Sequence, residues 1–273
     1  MGNFSFEQIL IVTALTTFAG LATGIGGAIG FFVRRTNTRL LTFLLGLSAG
    51  VMIFISFVEL FASAQHSLAE EHGDLRGKLI ALAAFFGGIA LALLIDRLVP
   101  EDENPHEAHG VEELSEASAH GVPAGAMRRS GMLFMLAIGI HNFPEGMAPF
   151  AAGLSGLSLG VPIAIAVALH NIPEGLTVSL PIFYATGSRR KAFLYSFLAG
   201  LAEPVGALVG MLVLFPFLSP TVLAVLFAAV AGIMVFISFD ELLPMSERWG
   251  HHHLSIYGIG VGMLVMGGTL AVL

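Results

Sequence analysis

The sequence predicts an all-α polytopic membrane protein of eight transmembrane helices, and three observations carry that prediction. Hydrophobic residues make up 56% of the chain and charged residues only 11%, with a mean hydropathy of +0.87. A soluble domain carries about 25% charged residues. Eight apolar stretches are long enough to cross a hydrocarbon core of about 30 Å as helices. Two segments of the chain also repeat one another, five stretches apart. The expected organisation is one transmembrane domain over residues 1–273, with a polar loop at about 100–127.

In order, the stretches run approximately 6–33, 39–64, 77–98, 129–153, 158–185, 191–215, 219–245 and 254–273. Span 1 holds Gly20, Gly24, Gly26, Gly27 and Gly30 and stops at Arg34-Arg35. Glycines of this kind let helices approach closely. No strand precedes them, so a nucleotide loop is rejected. Between spans 3 and 4 the stretch 100–127 is acidic and carries His106, His109 and His120. Its composition cannot bury a core, so it is expected as a solvated loop. Spans 4 and 5 each contain a polar hexapeptide, described below. Span 6 follows Arg189-Arg190-Lys191, and span 8 follows His251-His252-His253, expected as a solvated turn. Cysteine is absent, which excludes disulfides and thiolate metal sites. No basic segment precedes span 1, so no cleavable signal peptide is expected.

Basic residues orient the chain. Arg34, Arg35, Arg39, Arg97, Arg128, Arg129, Arg189, Arg190, Lys191 and Arg248 fall in loops on one side, against Arg76 and Lys78 on the other. Both termini are therefore expected outside the cytoplasm and the 100–127 loop inside it. The lipid bilayer is the medium, and no nucleic-acid partner is expected.

Span 2 reads Ala49-Gly50-Val51-Met52-Ile53-Phe54-Ile55-Ser56-Phe57-Val58-Glu59-Leu60, and span 7 matches it at nine of twelve positions from Ala231 to Leu242. Ala19-Gly20-Leu21-Ala22 in span 1 likewise matches Ala199-Gly200-Leu201-Ala202 in span 6. An offset of five spans places the copies in opposite orientations. That is the inverted-repeat plan of secondary transporters, which hold substrate near the membrane midplane.

The centre of the chain is doubled as well. His141-Asn142-Phe143-Pro144-Glu145-Gly146 is followed 29 positions later by His170-Asn171-Ile172-Pro173-Glu174-Gly175. Burying an ionisable group in a bilayer costs roughly 2.5–3.5 kcal/mol on insertion scales, so such groups mark functional sites. The His and Glu of each copy are four apart and the Asn and Glu three apart, so each trio can project from one helical face. Pro144 and Pro173 each remove a backbone donor, and a kink is expected at both. Imidazole, carboxylate and amide oxygens form a ligand set for Zn²⁺, Fe²⁺, Mn²⁺ or Co²⁺. Counting along the spans places Glu145, His170 and Glu203 about 15–18 Å deep. Glu203 has Thr23 as its repeat mate, so the symmetry breaks there. Met52, Glu59, Asp240 and Glu241 are candidate pathway residues, with Glu59 near the outer end of span 2 and Asp240-Glu241 near the inner end of span 7.

The doubled hexapeptide, with Leu201-Ala202-Glu203 in span 6, resembles the paired signatures of the ZIP (Zrt-, Irt-like) metal-ion transporters. The resemblance runs from span 1 to span 8 and is weakest in the 100–127 loop. It implies uptake of divalent metal into the cytoplasm, across a bacterial inner membrane, through eight helices in a 3+2+3 arrangement. It also implies a binuclear centre, with His141, Glu145, His170 and Glu174 on the first metal. Asn142, Asn171 and Glu203 would hold the second, with Glu145 and Glu174 shared. No cofactor is expected beyond the transported ions, and a homodimer is the candidate assembly. Two other readings compete. An intramembrane di-metal enzyme would carry Glu-x-x-His or His-Glu-x-x-His, and neither string occurs. A passive metal channel is the other.

Overall fold

A computed structural model describes residues 5–29, 37–98, 139, 142–143, 145–214, 217 and 219–272. Every regular element among these is helical. Seven of the helices are long and apolar enough to cross a membrane, and the protein is a multi-pass membrane protein. The 100–127 loop with its histidines, His141, Pro144 and most of expected span 4 lie outside the described residues.

Helix α1 covers Phe6–Ile29. Helix α2 runs Thr38–His72, starting where the Asn37 side chain accepts from the Leu40 amide at 3.1 Å. The apolar pattern places the end of span 2 at 64, yet the helix continues to His72. Its last turns are held by packing on α3 (Asp74–Leu98) and α7 (Pro220–Glu247), so tertiary contact outlasts hydropathy. The α2–α3 junction is the single residue Gly73, whose φ of 84° lies in the region glycine favours. Helix α4 is described over Met147–Ser155 and α5 over Leu157–Thr186. Despite Pro173, α5 runs as one helix of 30 residues. Helix α6 comprises Arg189–Gly200 and Ala202–Leu214, joined through Leu201. Pro204 cannot donate to the carbonyl of Gly200, and this is where α6 is interrupted. Ser188 and Ser219 cap α6 and α7 by accepting from the amides of Lys191 (3.3 Å) and Val222 (3.2 Å). Helix α8 is His252–Val272.

Packing divides the helices into two groups of four. Helix α1 packs on α4, α5 and α6, whereas α2, α3, α7 and α8 pack on one another. Contacts of α2 with α5 and of α7 with α4 join the groups. The buried apolar core runs along this seam and includes Leu45, Met52, Ile55, Ile163 and Met234.

Close helix crossings fall in matched pairs. A Cβ on Gly20 would lie 2.3 Å from the Gly200 carbonyl oxygen, and one on Gly200 would lie 2.1 Å from that of Gly20. Gly146 meets the Glu203 carbonyl as Gly175 meets that of Thr23. Gly50 rests on Ile259 of α8 as Gly232 rests on Phe85 of α3. Gly20 and Gly200, Thr23 and Glu203, Gly50 and Gly232 are equivalent in the repeat, and Gly146 and Gly175 close the two copies of the hexapeptide. The repeat extends to backbone geometry: α2 widens to a π-turn at Ser56–Phe61, and α7 does so at Ser238–Leu242. In both, the serine hydroxyl that opens the turn donates four residues back, Ser56 to Met52 (2.7 Å) and Ser238 to Met234 (2.8 Å).

Candidate metal centre

Among the described residues, polar side chains of the two hexapeptides come to one buried place where α5, α6 and the residues leading into α4 meet. Asn142, Glu145, His170, Asn171 and Glu203 are all buried, and Glu174, the most open of the set, is only 8% exposed. Ligand atoms of Glu145, His170 and Glu174 lie within 4.8 Å of one another. Ligands bonded at about 2.0–2.2 Å to one ion stand roughly 3–4 Å apart, so this trio is spaced for a common cation. Nε2 of His170 and Oε1 of Glu145 are 2.9 Å apart, an ion-pair distance, and neither ring nitrogen of His170 has a hydrogen-bond partner among the described residues.

The asparagines hold this arrangement. The Asn142 side chain hydrogen-bonds to Glu174, tying α4 to α5. The Asn171 amide donates both to the Ala19 carbonyl on α1, at 2.9 Å, and to Oε1 of Glu203 on α6. Ser196 Oγ donates to the carbonyls of Thr23 (2.8 Å) and Gly175 (3.0 Å), so α1, α5 and α6 are locked just beside the site. Local sequence explains the placement. Glycine after each glutamate admits the backbone of the neighbouring helix, which brings Glu203 beside α4 and Thr23 beside α5.

The site crowds acidic side chains together. Glu145, Glu174 and Glu203 lie near enough for each to repel the others, and Glu241 repels Glu174 in the same way. Burying such charges together in apolar surroundings is costly unless a cation compensates them.

The expected pathway residues separate. Met52 is buried on α2 and Glu241 is buried on α7, whereas Asp240 beside it is exposed. Glu59 is half-buried and accepts from Ser63 Oγ at 3.1 Å. Beyond it α2 continues through polar turns to His72. Two features escaped sequence reasoning: the π-turns carrying Glu59 and Glu241, and the approach of Glu241 to Glu174. Their only sequence signal was the near-identity of the Ser56 and Ser238 segments.

Residues 98–269 match the family model for the ZIP zinc transporter. A zinc transporter ZupT of Akkermansia muciniphila is 65% identical, over 97% of this chain and 98% of its own. Those of Nitratidesulfovibrio vulgaris and Clostridium perfringens are 56% and 49% identical, over 95% and 98% of this chain and the same shares of their own. The chain belongs to the ZIP zinc transporter family.

Proposed function

We propose that the protein is a secondary transporter that takes divalent metal ions into the bacterial cytoplasm through a binuclear site formed by α4, α5 and α6. Zn²⁺ is the principal substrate, with Fe²⁺, Mn²⁺ and Co²⁺ also carried. The observation that carries the reading is the convergence of Glu145, His170 and Glu174, buried and with ligand atoms within 4.8 Å of one another, as a bound cation requires. The first ion takes these three together with His141. The second takes Asn142, Asn171 and Glu203 and shares the two glutamates. An imidazole with carboxylates suits zinc, and an oxygen-only second position suits harder ions.

The matched glycine crossings support an inverted repeat of spans 1–3 and 6–8 around spans 4 and 5, the eight-span, 3+2+3 reading of the chain. Basic residues favour termini outside the cytoplasm in the inner membrane. Burial of the site favours a carrier over an open channel, since an ion there is enclosed by protein. The relatives are named as transporters, and the protein is not an enzyme. The test is uptake into proteoliposomes with a panel of divalent ions, with and without a pH gradient. Saturable Zn²⁺ uptake is expected. Flux that rises linearly with concentration would replace the carrier with a channel, and no flux of any divalent ion would overturn the reading.

A further inference from the structure

Thr23 departs from the pattern of its own helix. Thr13, Thr16 and Thr17 each donate to the carbonyl four residues back, at 2.7, 3.0 and 2.7 Å. This back-bonding is the usual resting place of a helical hydroxyl. For Thr23 the corresponding acceptor is the Ala19 carbonyl, and that carbonyl receives the Asn171 amide instead. Thr23 is 0% exposed, and its Oγ1 has no hydrogen-bond partner among the described residues. The hydroxyl lies over Gly200, where an added Cβ would be 3.0 Å from Oγ1. Gly200 is one turn before Glu203 on α6.

Two more buried oxygens on neighbouring helices lack a hydrogen-bond partner among the described residues, Asn171 Oδ1 and Glu203 Oε2. One amide nitrogen links their surroundings, since Asn171 Nδ2 bonds to Ala19 on α1 and to Glu203 on α6. These three oxygens belong to α1, α5 and α6, the helices that the Asn171 amide and the Thr23–Gly200 contact tie together. Buried polar atoms without partners are rare and call for a ligand or a role. The fold's symmetry reinforces the placement, because Gly175 rests on Thr23 as Gly146 rests on Glu203. Thr23 therefore occupies, on α1, the station that supplies a carboxylate on α6.

We propose that the Thr23 hydroxyl is an oxygen ligand for a divalent cation held with Asn171 and Glu203. The proposal rests on the binuclear reading above and deepens it, because it assigns the second position a donor from α1 and an oxygen-only environment. Such a set favours Mn²⁺ and Fe²⁺ relative to Zn²⁺, whereas the position containing His170 favours Zn²⁺. Thr23 would then tune which ions the second position accepts.

The test uses the purified full chain and its Thr23→Val and Thr23→Ser variants, with folding checked by thermal melting. Thr23→Val keeps the shape and removes the oxygen, Thr23→Ser keeps the oxygen, and Thr23→Ala serves if valine does not fold. Elemental analysis gives ions per chain, and calorimetry gives Mn²⁺ and Zn²⁺ affinities separately. Two ions per wild-type chain are expected. Thr23→Val should weaken Mn²⁺ binding at the second position about tenfold, the scale of one lost ligand-type bond. It should leave the tighter Zn²⁺ position within about twofold, and Thr23→Ser should restore Mn²⁺ binding. Unchanged Mn²⁺ affinity in Thr23→Val overturns the proposal, as does a Thr23→Ser variant as weak as Thr23→Val, which would mark a packing role. A wild type that saturates with one ion also overturns it while leaving the Glu145–His170–Glu174 position intact. A wild type that binds no metal overturns both.

Discussion

At the scale of single residues, the centre is defined by acidic side chains crowded together and buried from solvent. Glu174 is the pivot, since it touches Asn142, feels Glu145 and Glu241, and shares a ligand cluster with His170. Glu174→Ala should lower Zn²⁺ affinity by more than about a hundredfold, beyond the usual loss from an outer-shell change. The variant should still insert in the membrane. Equilibrium dialysis together with membrane fractionation reads both, and wild-type affinity in the variant would remove Glu174 from the site. Protonation gives a second expectation. His170 can ligate only through an unprotonated ring nitrogen and the carboxylates only when ionised, so binding releases protons and affinity falls as pH falls. Calorimetry in buffers of different ionisation enthalpy checks this, and heats that do not depend on the buffer would refute it. The site residues were legible because a polar hexapeptide in an apolar span is energetically conspicuous, and doubling it removes chance. Asn171's bond to the Ala19 carbonyl was not legible, because it depends on which helix lies alongside α5.

At the scale of helices, glycine sets the fold more than side-chain bulk does. The sequence showed that α1 was glycine-rich, but it could not show which backbone each glycine would meet. Gly175 is the sharpest case, for a Cβ there would stand 1.8 Å from the Thr23 carbonyl oxygen. Gly175→Ala should push α1 from α5 and cost about 1–3 kcal/mol, as overpacking does. Gly87→Ala, with nothing within 4 Å of its added Cβ, should be neutral or gain up to about 1 kcal/mol from helix propensity. Thermal melting of both variants in detergent separates the two positions. Equal shifts would mean that the α1–α5 crossing is not the constraint. Span positions were legible from hydropathy, and their ends were not where packing took over, as at the polar last turns of α2. The π-turns were hidden for a related reason: a backbone can widen there without any change in amphipathic pattern, so no periodicity signals it.

At the scale of the whole molecule, the site sits in one helix group and the Glu59 and Glu241 turns in the other. The 100–127 loop belongs to neither set of site residues, and deletion of residues 104–122 should reduce uptake modestly at most. Complete loss of uptake with normal insertion would make that loop part of the machinery. The direction of transport depends on topology, which rests on the ten basic residues assigned to one side. The absence of cysteine makes this directly measurable, because any introduced thiol is the only one in the chain. Ser5 and His253 are both exposed and lie at the starts of α1 and α8. On the eight-span reading seven crossings separate them, which puts the two positions on opposite sides of the membrane. Ser5→Cys should react with a membrane-impermeant maleimide in intact spheroplasts, and His253→Cys only after permeabilisation. The reverse labelling would turn the protein over and exchange the roles of Glu59 and Glu241 as entry and exit. Labelling of both from one side would mean an even number of crossings between them and would break the eight-span, inverted-repeat reading itself.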